Sequence, residues 1–111
     1  MKITLPLTIS LVLLTAMIAA SLVSWLVAGV NVDLPIHFTL EGTPTRYASA
    51  PLALSIIPAA AVFATLVFAL TPRLDPKASA SPRLHAVLWM FVLAILALGH
   101  GLIVHHALMA A

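Results

Sequence analysis

Three uninterrupted apolar runs dominate the chain: Leu5 to Val30, Pro51 to Leu70, and Leu84 to about Met109, none containing Asp, Glu, Lys or Arg. Each reaches or exceeds the roughly 20 residues that a helix rising about 1.5 Å per residue needs to cross a hydrocarbon core about 30 Å thick. Where no water reaches the backbone, every N–H and C=O must be paired within the protein, so spans of this length form helices. Barrel strands would show alternating segments of about ten residues, which this sequence lacks. The expected fold class is all-α: an integral membrane protein with three transmembrane helices over about 5–30, 51–71 and 83–109, with 1–111 forming a single membrane domain.

Composition agrees, since 63% hydrophobic against 7% charged residues leaves too little polar surface to coat a soluble globule of 111 residues. The net charge of +2 comes from five Lys and Arg against three Asp and Glu, with no basic stripe, so nucleic-acid binding is not expected. The absence of cysteine excludes disulfides, Cys-ligated metal centres and thiol chemistry. Lys2 precedes an apolar stretch as in a secretory signal, but that stretch is too long and lacks a small-x-small cleavage site, so the first span is expected to be retained.

Lys and Arg favour cytoplasmic loops. The basic loop at 72–82, with Arg73 and Lys77 and with Arg83 just beyond, is therefore expected inside, and the loop at 31–50, with Asp33, Glu41 and Arg46, outside. Lys2 adds a weak inside signal and the tail from His105 carries no Lys or Arg, giving the N-terminus in and the C-terminus out. Prolines punctuate the helices: Pro51 and Pro82 suit helix starts, while Pro72 and Pro76 are expected to stop the second helix. Pro58 crowds the Leu54 carbonyl and should bend that helix, with Ser55 placed to relieve the freed backbone. Trp25 and Trp89 suit the interface belts. Ala16, Ala20, Ser24 and Ala28 recur every fourth residue, and Ala61, Thr65 and Ala69 do so in the second span; such small-residue stripes let backbones approach, here each other or a second chain, a homo-oligomer included.

Chemistry-bearing residues are few. His100, between Gly99 and Gly101, reads as the one titratable group within a span, its bland role a neutral imidazole bonded to neighbouring backbone. His37, His105 and His106 should gather at the outer boundary, but about 100° per residue turns His100, His105 and His106 in three directions, so no metal site is expected. Ser10, Thr15, Ser21 and Thr65 have no partnered base or oxyanion-hole motif, and their hydroxyls should bond back to their own helices. With no phosphate loop, dinucleotide fingerprint or paired carboxylates, neither an enzyme nor a cofactor is expected.

The segment LPIHFTLEGTPTRYAS, 34–49, is the part whose residue choice a bilayer does not explain. Pro35 and Pro44 stiffen it, Gly42 allows positive φ, and Phe38 and Tyr47 offer apolar bodies for an interface. Its pattern, L-P-x-H-F-x-x-x-G-x-P-x-R-Y-x-S, resembles the outer segment of a domain of unknown function in SdpI-like proteins, the immunity and signalling proteins of the sporulation-delaying toxin system. Pro35, His37, Phe38, Gly42, Pro44 and Tyr47 fit that pattern, Thr45 stands where the family usually has aspartate, and PRLDP at 72–76 resembles a second family feature. The resemblance covers about residues 17–77 and implies a multi-pass protein of the bacterial plasma membrane that protects against or senses a membrane-active peptide. Partner contact would then fall to Phe38 and Tyr47, with His37, Glu41 and Arg46 orienting through polar bonds and Pro35, Gly42 and Pro44 holding the shape. The alternative is a small structural or accessory subunit of a larger membrane protein complex. A bland reading makes 37–47 a turn that merely closes a helical hairpin, with Glu41 and Arg46 as a weak surface pair.

Overall fold

The computed structural model describes residues 3–29, 33–41, 43–75, 77 and 80–109. Its elements are helix α1 (Thr4–Ala28), strands β1 (Asp33–Phe38) and β2 (Pro44–Ser49), and helices α2 (Ala50–Leu74) and α3 (Pro82–Met109). All three helices are long and apolar enough to cross a membrane. Every pair of helices is in contact, and the molecule measures 48 × 27 × 17 Å.

Helix α1 buries Pro6, Ser10, Leu14, Met17 and Ser24, with Ser21 partly buried on the same line. These positions advance by three or four residues, so the buried seam stays close to parallel with the axis. A strict four-residue repeat instead rotates by about 40° per step, because each residue turns about 100°. The expected stripe therefore winds off the seam: Ala16 is exposed, Ala20 and Ala28 are half-buried, and Ser24 alone is buried. Outward-facing residues include Leu26, Phe63 and Leu98, at 82%, 70% and 73% exposure. An apolar coat on all sides is what lipid, not water, solvates.

The structure departs from all-α over 33–49, the expected outer loop, where β1 and β2 pair antiparallel with Leu34 opposite Ala48 and Pro35 opposite Tyr47. A two-stranded ribbon has only edges, so Pro35 and Pro44 cost it little. Irregularities on both sides of His37 in the register accommodate the odd spacing between His37–Arg46 and Phe38–Pro44. Leu34 is 1% exposed and seats among Ala50, Ala53, Leu54, Ile103 and Ala107, fixing the ribbon onto the ends of α2 and α3. Gly29 closes α1 at φ 84° and returns its N–H to the Trp25 carbonyl at 2.8 Å.

Helix α2 contains both Pro58 and Pro72, so Pro72 does not stop it; the helix ends at Leu74, and Pro76 lies outside the described residues. A proline within a helix leaves the carbonyl four residues earlier without its N–H partner. For Pro58 that is Leu54 O, and for Pro72 it is Phe68 O. Leu54 O accepts the Ser21 hydroxyl from α1 at 2.8 Å, while Ser55 turns to Pro51 O instead. Phe68 O accepts His85 Nε2–H from α3 at 2.8 Å. Both openings in α2 are thus closed by neighbouring helices. The prolines are fourteen residues apart, about four turns, so the two freed carbonyls share a side of the helix to within about 40°.

Candidate functional site

Two polar knots tie the bundle. At the level of Pro58, His100 Nε2 stands 3.0 Å from both Met17 O and Ser21 Oγ. A carbonyl only accepts, so Nε2 carries the ring proton and shares it between these oxygens, while the Ser21 hydroxyl passes its own hydrogen to Leu54 O. One residue from α3, two from α1 and one from α2 meet there. At the level of Pro72, Trp89 Nε1–H donates to Ser10 Oγ at 2.7 Å, the Phe68 ring stacks on Trp89 at 5.8 Å, and His85 packs edge-on against both rings.

Several expectations change here. Trp89 is fully buried within the bundle, not in an interface belt, because its N–H finds a buried acceptor. Ser10 and Ser21 reach across helices, whereas Thr15 and Thr65 bond back to Leu11 O and Ala61 O as expected. His85 is a second buried histidine within a span, missed by the sequence reading although Pro72 signals an open acceptor. His100 has the backbone partner expected of it, but its Nδ1, like Ser24 Oγ, is buried with no hydrogen-bond partner among the described residues.

The ribbon places the remaining site residues. Pro35 is buried, Pro44 is half-buried, Tyr47 is 61% exposed, and His37, Glu41 and Arg46 are exposed. Phe38 pairs with Pro44 through β1, its side chain lies outside the description, and Gly42 lies outside the described residues. His37 faces Arg46 in the register, and its Nδ1 lies 2.8 Å from Thr45 Oγ1, which also donates to His37 O at 3.2 Å. Thr45 thereby fixes the ring. His37, Thr45 and Arg46 line an open cleft of about 320 Å³. Glu41 and Arg46 form no ion pair among the described residues. Across the turn, Thr39 N–H donates to Thr43 O and Thr43 N–H to Thr39 Oγ1. His105 and His106 lie edge to face at 5.8 Å, and no group of three or more metal-ligating side chains gathers among the described residues.

Three apolar helices with a lipid-compatible coat define the class as a multi-pass membrane protein. Beyond that class, no family model, no curated protein and no solved structure matches the chain.

Proposed function

We propose that this is a non-enzymatic protein of the bacterial plasma membrane, of the SdpI-like immunity or sensing class, in which the ribbon meets a hydrophobic peptide or a partner protein. The ribbon lies outside, the basic 72–82 turn inside, with the N-terminus in and the C-terminus out. The observation that supports this reading best is the ribbon's division of labour: Leu34 is locked into the helix ends while Leu40 and Tyr47 stay exposed at the same end of the molecule. Exposed apolar groups on a fixed support bind with less ordering cost than the same groups on a free loop. Arg46 and His37 beside them supply orientation.

Deleting the gene should raise sensitivity to a membrane-active peptide, and Tyr47→Ala or His37→Ala should reproduce the effect at unchanged protein abundance. Unaltered sensitivity in all three strains removes the reading. For the topology, cysteines introduced at Thr43 and Ser81 should react with an impermeant reagent from opposite sides of intact cells.

A groove of about 520 Å³ along α1, lined by Thr8, Leu11, Val12, Thr15, Ala16 and Ala19, favours a second reading as an accessory subunit whose partner helix lies there. Gentle detergent extraction would then recover a stoichiometric complex; a partner-free monomer would count against it.

A further inference from the structure

The cleft between the strands has a composition of its own. Arg46 is exposed, its guanidinium has no ion-pair or hydrogen-bond partner among the described residues, and the residue stands opposite His37 in the register. The Thr45 hydroxyl gives its hydrogen to His37 O, so Nδ1–H donates to Thr45 Oγ1 and Nε2 is left open to a ligand, where it donates to an anion only in the imidazolium form. Among the described residues no carboxylate lines the cleft: Asp33 pairs with Ser49 at the ribbon's base and Glu41 sits beyond β1 at its tip. A guanidinium and an imidazole lining one open cleft of about 320 Å³ are suited to an anionic oxygen, and a planar guanidinium matches the paired oxygens of a phosphate in particular.

Position along the molecule names the source of that phosphate. The long axis of 48 Å is close to a whole bilayer of about 40–45 Å with its headgroups, and a 25-residue helix such as α2 accounts for about 37 Å of it. With the helices centred in a hydrocarbon core of about 30 Å, the ribbon extends into the headgroup layer. Tyr47 and Trp25, both exposed near this end, are the side chains that favour that layer.

We propose that His37 and Arg46 bind the phosphate of a phospholipid headgroup, with Thr45 as the positioning residue that aims the imidazole. The site rests on Arg46, Thr45 and His37 and does not require a peptide at Leu40 or Tyr47, so lipid retention in Arg46 and Thr45 variants and peptide sensitivity in Tyr47→Ala can fail separately.

Native mass spectrometry of the detergent-solubilised full chain, titrated with dioleoyl phosphatidylglycerol, tests this. Arg46→Gln should weaken retention about tenfold or more, as expected for loss of a charge-assisted bidentate contact, and His37→Gln by a smaller factor. Thr45→Val should weaken it and Thr45→Ser restore it, which a merely structural hydroxyl in an exposed ribbon would not do. Lys77→Gln, at the far end, controls for general attraction and should leave retention unchanged. If millimolar inorganic phosphate displaces the lipid in an Arg46-dependent way, the phosphate chemistry stands and the source is the free anion. Retention unaffected by Arg46→Gln and His37→Gln, or lowered equally by Lys77→Gln, overturns the proposal.

Discussion

Two glycines flank His100, and only one of them is there for a close approach. A Cβ on Gly99 would meet Ile57 Cδ1 at 3.3 Å, whereas one on Gly101 would meet nothing within 4 Å. Gly101→Ala should therefore stabilise the bundle by roughly 0.5–1 kcal/mol through helix propensity alone, while Gly99→Ala gains less because the Ile57 side chain must shift. Unfolding in mixed micelles measures both; a Gly101→Ala variant no more stable than Gly99→Ala would show that the open side of Gly101 is occupied. The seam makes a parallel statement about α1. Ala16→Leu, on an exposed position, should change stability by under about 0.5 kcal/mol, and Ser24→Leu, on a buried one, should cost about 1–3 kcal/mol by overpacking. Equal effects at the two positions would restore the four-residue stripe as the packing face. Ser24 shows why residue roles were only partly legible: its burial depends on where a partner helix lies, and a repeat of small residues does not carry that information.

At the scale of elements, the helices were readable and the ribbon was not. The runs expected at 5–30, 51–71 and 83–109 are observed as Thr4–Ala28, Ala50–Leu74 and Pro82–Met109, because an uncharged apolar run of spanning length reads directly as a helix, although Arg73 and Arg83 fall within the terminal turns of α2 and α3. The largest error is at Pro72, where the expectation of a stop overlooked that a neighbour's donor can replace the missing N–H. The segment 33–49 has two prolines and no Asn-Gly or Asp-Gly turn, so its hairpin signal is weak. What makes it a ribbon is tertiary, namely the socket of Ala50, Ala53, Leu54, Ile103 and Ala107 that receives Leu34. Leu34→Ala should cost about 2–4 kcal/mol and speed hydrogen exchange across β2, leaving the centre of α1 unchanged. Exchange unchanged in β2 would mean that the strand pairing holds without its anchor.

For the whole molecule, the two prolines in α2 organise the bundle: each opens a carbonyl, and each opening receives a donor from a different neighbour, Ser21 from α1 and His85 from α3. In lipid the hydrophobic effect does not press helices together, so such directional contacts, about 0.6 kcal/mol on average and up to about 1.7 kcal/mol each, set which faces meet. The prolines and their freed acceptors are legible in the sequence; the identity of the donors is not, because the vertical register between helices is decided only when all three pack. The most direct measurement is a double-mutant cycle between Ser21→Ala and Pro58→Ala, read as unfolding free energy in mixed micelles. Alanine at 58 returns an N–H to Leu54 O, so the cost of Ser21→Ala should fall by about 1 kcal/mol in that background. An identical cost with Pro58 present or replaced would contradict the view that proline-freed carbonyls hold this bundle together.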